Sequence, residues 1–198
     1  VGDVLLTQDV EEALAALNQG RKVLFSPKMS YLKGLEGKFL PVFWSPVHFP
    51  RQAGTMGLLC NTQHAALRHF PTEMHSNWQW WSIVRHARPF ILNATRHEYK
   101  PLIQVVDNVE RNHKLGLLFE FAVDNGKVLV CMSNLEAIRH TPEGGQLRNA
   151  ILSYMKSAEF SPTETLTSQQ LQHILTTEVK KQDIVGVKNQ SDYDVQPE

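Results

Sequence analysis

Residues 70–81 concentrate side chains that could recognise a sugar. They include three of the four tryptophans of the chain, together with several polar side chains. Binding sites for small molecules combine flat apolar surfaces with a few polar groups, and sugars offer both C–H faces and hydroxyls. This stretch therefore predicts a carbohydrate-contacting site. Its candidate residues are Glu73, His75, Asn77 and Trp80, with Trp44 from an earlier segment.

The same tryptophans also fit a second hypothesis, an aromatic core. Trp78, Trp81 and Val84 recur at helical spacing within a helix that we predict over residues 77–86. Side chains at that spacing usually pack against a core, so we expect Trp78 and Trp81 to be buried. Trp80 lies on another face of the predicted helix, and we expect it to be the exposed tryptophan.

Cys60 offers a different chemistry, that of a nucleophile. It ends the apolar run 56–60, which predicts a central strand, and it precedes a helix predicted over residues 63–69. A helix N-terminus can lower the pKa of a thiol. A nucleophile elbow needs small flanking residues, however, and Cys60 has none. Cys131 also lies in an apolar run, so both cysteines fit buried free thiols, with a disulfide between adjacent strands as the alternative.

The sequence patterns for a metal site and for a pair of catalytic carboxylates are weaker than the aromatic pattern of residues 70–81. The three histidines between residues 64 and 75 are separated by five and six residues, whereas a zinc-binding helix places two histidines four residues apart. Glycoside hydrolysis needs two carboxylates, which Glu73 with Asp107 or Glu110 could supply. Each of these acids also fits a capping or salt-bridged role. We therefore expect no catalytic residue, no metal and no cofactor in this chain.

The order of the predicted elements indicates an α/β domain. A strand over 4–6, a helix over 8–18 and a strand over 21–25 form the strand–helix–strand unit of a parallel sheet. Strands over 115–123 and 127–132 flank Asp124-Asn125-Gly126, a strong hairpin signal. Further strands are predicted over 39–44, 90–92 and 103–106, and further helices over 143–156 and 168–175.

These elements predict a three-layer α/β fold with a mixed, mostly parallel sheet flanked by helices. We expect the domain to cover residues 1–158. After Phe160 the composition shifts to Ser, Thr, Gln and Glu, so we expect residues 159–198 to form a helical and partly disordered tail.

The charge balance excludes several kinds of partner. Twenty basic and twenty acidic residues give a formal net charge of zero, whereas nucleic-acid binders carry a basic excess. The same balance argues against docking on an anionic membrane. No apolar run approaches the roughly 20 residues of a membrane helix. The chain begins at Val1 and not at a methionine, which favours a piece of a larger protein.

Several segments together resemble the C-terminal domain of large multidomain members of glycoside hydrolase family 2, the β-galactosidase/β-glucuronidase type. The resemblance covers roughly residues 3–156. The segments that carry it are FWSP (43–46), TMGLLC (55–60), HAAL (64–67), FPTE (70–73), HSNWQWW (75–81) and VDNVERNHKLG (106–116).

The resemblance implies a fold similar to flavodoxin or to class I glutamine amidotransferases, appended to a glycosidase. In that family the two catalytic glutamates lie on a separate (β/α)8 barrel, and this chain has no positions that match them. The expected role is therefore a non-catalytic accessory domain, structural or carbohydrate-contacting, whose partners are the other domains of the parent glycosidase and an oligosaccharide. The resemblance also implies a periplasmic or extracellular location.

Two other functions remain open from sequence alone. One is an independent hydrolase or amidotransferase-like enzyme that uses Cys60 with a histidine. The other is a protein–protein interaction module that docks through the exposed part of residues 70–81.

Overall fold

The computed structural model describes residues 3–28, 55–107 and 112–176. Its strands are β1 Val4–Thr7, β2 Lys22–Phe25, β3 Thr55–Cys60, β4 Phe90–Ile91, β5 Ile103–Asp107, β6 Leu115–Val123, β7 Gly126–Cys131 and β8 Thr165–Leu166. Its α-helices are α1 Val10–Asn18, α2 Trp81–Arg85, α3 Leu135–Ile138, α4 Pro142–Lys156 and α5 Ser168–Thr176. Short 3₁₀ turns lie at Ala65–Leu67 and Trp78–Trp80.

The predicted strand–helix–strand unit is confirmed as β1–α1–β2. The Asp9 carboxylate caps α1 by accepting the Glu12 N–H at 2.8 Å, which satisfies one of the free donors of the first turn. The helix stops just before Gly20, whose φ of +78° lies in the left-handed region that glycine adopts without strain. β1 and β2 then pair in parallel, from Val4 opposite Lys22 onward.

The predicted hairpin is also confirmed. β6 and β7 pair antiparallel and close at Val123 opposite Gly126, so Asp124 and Asn125 form the turn. Asp124 has a φ of +48°, a conformation that Asp tolerates better than most residues. β6 is the nine-residue strand at the centre of the sheet, and it also pairs with β5, β4 and β8.

The described strands form a single mixed sheet in the order β1-β2-β7-β6-β5-β3, with β4 and β8 also pairing with β6. Among the described strands, three pairings are parallel and four are antiparallel, so the expectation of a mostly parallel sheet holds only in part. β3 is antiparallel to β5 and ends the strand path. The prediction of a central strand at 56–60 is therefore wrong in its position, since an apolar run does not distinguish a central from an edge strand.

Helices cover both faces of the sheet. Tyr154 of α4 hydrogen-bonds Glu120 on β6, whose register partner on β7 is Leu129. Gly126 of the same β7 points to the opposite face, because successive strand residues alternate. There it meets the backbone of Leu17 in α1. The three-layer arrangement is thus present, with α4 on one face and α1, which packs on α5, on the other.

Residues 160–176 belong to the packed domain and not to a separate tail. β8 pairs in parallel with β6, and α5 packs on α1. The helix predicted over 168–175 is confirmed. The residues on the two sides of the boundary predicted at residue 158 pack against each other. The prediction of a tail follows from the polar overall composition of this segment. Its helix α5 nevertheless has an apolar stripe, and Leu171, Ile174 and Leu175 of that stripe are buried.

Other predicted elements have mixed outcomes. The helix over 143–156 and the strands over 90–92 and 103–106 are confirmed with small shifts at their ends. The helix over 63–69 is reduced to one 3₁₀ turn. The strand over 39–44 lies outside the described residues. None of the helices in the described ranges is long and apolar enough to cross a membrane.

Gly126 should tolerate no side chain. A Cβ at this position would lie 2.7 Å from the carbonyl oxygen of Leu17 and 2.8 Å from that of Arg21. We expect Gly126→Ala to lower the free energy of unfolding by roughly 1–3 kcal/mol, as overpacking does elsewhere. Gly57→Ala is the matched control in another strand, because among the described residues its Cβ would come close only to the Ser76 hydroxyl, at 3.3 Å. Urea unfolding of both variants tests this, and equal losses would contradict it.

Candidate functional site

The residues before the tryptophans run along the outer edge of β3. The N–H of Cys60 donates to the carbonyl of Met74 at 2.8 Å, and Leu59 and His75 form an isolated antiparallel bridge. Because β3 is the last of the described strands on this side of the sheet, these bonds satisfy part of the backbone edge that its described neighbour β5 leaves unpaired. They place the start of the candidate stretch at the border of the sheet.

Trp80 is buried, so the prediction that it is the exposed tryptophan is wrong. Its side chain is 0% exposed, its Nε1–H donates to the Thr72 hydroxyl at 2.8 Å, and its ring meets Phe70 edge-on at 5.1 Å. The buried stripe runs through Trp80, Ile83 and Val84, which also fits helical spacing. Trp80 therefore belongs to the core and cannot stack on a ligand.

Trp78 and Trp81 take the exposed positions instead. Trp78 is 86% exposed and Trp81 is 41% exposed. Their rings meet edge-on at 6.4 Å, and the Arg85 guanidinium lies 5.7 Å from the centre of the Trp81 ring. This cation–π contact occupies part of Trp81. Of the three tryptophans that the structure describes, Trp78 is therefore the most accessible for stacking.

The three polar candidates come together beside these tryptophans. His75 Nε2 lies 3.3 Å from Glu73 Oε2, and Asn77 Nδ2 donates weakly to the same oxygen at 3.5 Å. The Asn77 Oδ1 accepts the N–H of Gln79 at 3.2 Å, which caps the 3₁₀ turn that carries Trp78. All three side chains are exposed, so their remaining donors and acceptors face solvent.

Two predicted residues cannot be placed in this site. Trp44 and Glu110 lie outside the described residues. Asp107, the other acid of the paired-carboxylate hypothesis, ends β5 and accepts the N–H of His113 at 3.1 Å. That bond gives Asp107 a structural role in closing the turn.

The exposed apolar side chains of the described part cluster in the same region. Each large hydrophobic residue that is exposed there lies between positions 56 and 81. They are Met56, Leu59, Met74, Trp78 and Trp81. Exposed apolar side chains concentrated in one part of a fold often mark a contact site. We call residues 73–81 together with Met56 and Leu59 the edge surface.

The Cys60 thiol is poorly suited to nucleophilic catalysis. Burial raises its pKa to about 11, and a hydrogen bond with Thr72 offsets only part of that effect. A thiol with this pKa is almost entirely protonated near neutral pH, and the thiolate is the nucleophile. Burial likewise raises the pKa of Cys131 to about 12. Both cysteines are free, and their strands β3 and β7 are not neighbours, which excludes the disulfide alternative.

Within the described ranges, no group of three or more His, Cys, Asp or Glu side chains is arranged to hold a metal ion.

A buried acid that sequence reasoning missed lies in the middle of β6. Glu120 is 8% exposed, and the Tyr154 hydroxyl lies 2.9 Å and 3.1 Å from its two carboxylate oxygens. Burial raises the pKa of Glu120 to about 7. The available signal was a lone acid within a nine-residue apolar strand, because such a charge must find partners when buried.

This geometry defines a mixed α/β domain with an exposed aromatic surface at one edge of its sheet and a buried acid at its centre. Residues 5–176 match the family described as "Domain of unknown function (DUF8487)", and the chain belongs to that family. The matched range extends through β8 and α5, as the packing does. No curated protein matches the chain.

Proposed function

We propose that this chain is a non-catalytic accessory domain of a glycoside hydrolase family 2 glycosidase, and that it contacts carbohydrate through its edge surface. The observation that supports this most is the exposed Trp78 indole next to Glu73, His75 and Asn77. The indole offers a flat apolar face for a sugar ring. The three polar side chains offer donors and acceptors for its hydroxyls within the same patch.

The shape of the surface favours a chain of sugars over a single one. A flat platform contacts one face of each ring, so each sugar unit contributes little and several units are needed for measurable binding. The Glu73 carboxylate contacts both of the other polar candidates, His75 and Asn77. We assign it the role of orienting His75 and Asn77 toward the ligand, and not a catalytic role.

Our proposal for the fold names a particular family within the mixed α/β class. We propose kinship with the flavodoxin-like and class I glutamine-amidotransferase-like folds, supported by the parallel β1-β2-β7 half of the sheet and its α1 crossover. The antiparallel half around β6 departs from a doubly wound parallel sheet. By the same proposal the parent enzyme works in the periplasm or outside the cell.

Titration calorimetry of the full chain tests the carbohydrate contact. We expect saturable binding of plant oligosaccharides at the edge surface, weaker binding of galactose and glucuronate there, and loss of the oligosaccharide binding in Trp78→Ala. A base stacked on an aromatic side chain contributes about 1–3 kcal/mol to binding, and a similar contribution from a sugar ring would make the variant bind about 5- to 150-fold more weakly. Gln172→Ala, at an exposed position of α5 outside the edge surface, is the control, and its binding should not change. Unchanged oligosaccharide binding in Trp78→Ala would contradict the proposal.

A second candidate function has its own support. Met56, Leu59 and Met74 are exposed and apolar, which suits a protein interface with the other domains of the parent enzyme better than it suits a sugar. The same titration separates the two functions, because a protein interface should not respond to saccharides. The interface would be favoured by two results together. Oligosaccharides would give no binding signal, and the Met56→Glu variant would associate more weakly than wild type with the other domains of the parent enzyme.

A further inference from the structure

A cleft of about 300 Å³ opens beside Glu120, away from the edge surface. Four separate parts of the chain line it: the residues after β3, the segment before β5, the centre of β6 and the segment before β8. Its polar lining includes Asn61, His64, Arg96, Lys100 and Glu120. None of its lining residues belongs to the edge surface, so it is a second and independent candidate site.

His64 presents a hydrogen-bond donor to this cleft. Its Nδ1 accepts the N–H of Ala66 at 3.3 Å, which assigns the proton of the neutral ring to Nε2. Burial lowers the pKa of His64, which favours that neutral form. The ring is held edge-on against Tyr154 at 5.2 Å, so its orientation is supported by packing.

Glu120 presents an acceptor close to that donor. The Oε1 of Glu120 lies 3.9 Å from His64 Nε2, which is too far for a direct hydrogen bond. The carboxylate is itself held by Tyr154, and the Tyr99 hydroxyl donates to the Glu120 backbone carbonyl at 3.0 Å. A donor and an acceptor are therefore fixed 3.9 Å apart. One oxygen atom beside the line between them can lie about 2.8 Å from both, and we call that position the gap.

A group that bridges His64 and Glu120 must both accept a hydrogen bond and donate one. A hydroxyl can accept the His64 N–H and donate its own proton to Glu120. An ammonium has no lone pair to accept from His64, and a fully ionised carboxylate or phosphate has no proton to donate to Glu120 while that carboxyl is ionised. A hydroxyl therefore fits both partners, and a simple charged group fits only one.

The rim of the cleft also favours an uncharged ligand. Arg96 Nε donates to Glu164 at 2.9 Å, and the Arg96 guanidinium keeps the pKa of Glu164 below its usual range. The charges of Arg96 and Glu164 therefore neutralise each other. Lys100 and Glu98 add one charge of each sign, so the rim offers donors and acceptors without a strong net field. The volume lies at the low end of ligand pockets and suits a molecule of about one ring.

We propose that this cleft binds a small neutral polyhydroxylated molecule, such as a cyclic polyol or a monosaccharide, through a hydroxyl held between His64 Nε2 and Glu120 Oε1. The site does not depend on the edge surface or on carbohydrate contact there. A free polyol and the terminal sugar of a longer chain share this chemistry, and the size of the cleft favours the free molecule.

Saturation-transfer NMR and calorimetry on the full chain test the proposal with myo-inositol, galactose and a galacto-oligosaccharide as neutral probes and galactosamine as the cationic probe. In Trp78→Ala, whose edge surface should no longer hold an oligosaccharide, we expect myo-inositol and galactose to bind at millimolar concentration, with no gain for the galacto-oligosaccharide. Galactosamine should bind more weakly than galactose wherever its ammonium replaces the bridging hydroxyl. Stronger binding of the oligosaccharide than of galactose by Trp78→Ala would assign the cleft to chain ends and overturn the free-molecule part of the proposal.

The variants remove one side of the gap at a time. His64→Phe keeps a ring against Tyr154 but loses the Nε2–H, and it should weaken myo-inositol binding about tenfold, the effect of one hydrogen bond. His69→Phe, on an exposed neighbour outside the cleft, should leave binding unchanged. Trp78→Ala should also leave it unchanged, which separates this site from the edge surface. Equal binding by wild type and His64→Phe, with both folded by circular dichroism, or no binding of any neutral probe, would overturn the proposal.

Discussion

Replacing Trp80 by alanine should lower the free energy of unfolding by about 3–5 kcal/mol, the range for truncating a large buried aromatic side chain. Trp80 is fully buried, packs on Phe70 and satisfies its indole N–H with the Thr72 hydroxyl. The alanine variant loses the apolar burial, leaves a cavity and removes the donor to Thr72. Urea unfolding monitored by circular dichroism measures the loss.

Trp78→Ala is the matched control for that experiment, because it removes the same side chain two positions earlier. Trp78 is 86% exposed, so its truncation should change the free energy of unfolding by less than about 0.5 kcal/mol. Trp80→Phe should fall between the two, since it keeps an aromatic ring but loses the hydrogen bond. Equal losses for the two alanine variants would show that the assignment of core and surface tryptophans is wrong.

The second large effect is a pH dependence of stability that Glu120 should cause. Its pKa is raised from 4.5 to about 7 in the folded state, chiefly by burial. Between these values the folded protein holds a proton that the unfolded chain releases, so stability falls as pH rises through this window. The full contribution is roughly 3 kcal/mol, because each pKa unit corresponds to about 1.4 kcal/mol. Below pH 4.5 the carboxyl is protonated in both states and this dependence ends.

Glu120→Gln isolates the effect of this carboxyl from that of its neighbours. Burial lowers the pKa of His64 from 6.5, so the stability linked to His64 is present above that pH and declines as pH falls, the opposite sign. Tyr154 donates to Glu120, and the Lys127 charge opposes the effect of burial. The difference in unfolding free energy between wild type and Glu120→Gln should therefore decrease from pH 4.5 to above pH 7. A difference that is constant with pH would contradict the assignment.

Elements specified by their own residues were predictable from the sequence. Asp9 caps α1 and Gly20 ends it, and both roles depend on chemistry within a few residues. The Asp124-Asn125-Gly126 turn sets the β6–β7 register for the same reason. The polar candidates Glu73, His75 and Asn77 were predictable as a group, because they lie within five residues of one another.

The choice between Trp78 and Trp80 was not predictable from spacing. Trp78, Trp81 and Val84 form one helical stripe, and Trp80 with Val84 forms another, so periodicity permits either face to be buried. What decides between them is the preceding segment, because Phe70 and Thr72 fold back to contact Trp80. A contact across eight to ten residues of irregular chain leaves no periodic signal.

The Glu120 cleft was unpredictable for a related reason. Its acid lies 34 residues before Tyr154, and His64 follows β3, which is two strands from β6 in the order of the sheet. The edge position of β3 likewise depends on its antiparallel pairing with β5 and not on its own composition. Sequence patterns identify such residues as unusual, whereas only the assembled sheet brings them together.

Oxidation of tryptophan by N-bromosuccinimide, located by peptide mass spectrometry with and without a plant oligosaccharide, tests the carbohydrate contact most directly. We expect Trp78 to be oxidised quickly, Trp81 more slowly and Trp80 only after unfolding, in the order of their exposure. The oligosaccharide should protect Trp78 in a saturable manner and leave Cys60 and Trp80 unchanged. Rapid oxidation of Trp78 at every oligosaccharide concentration would show that this surface does not hold carbohydrate.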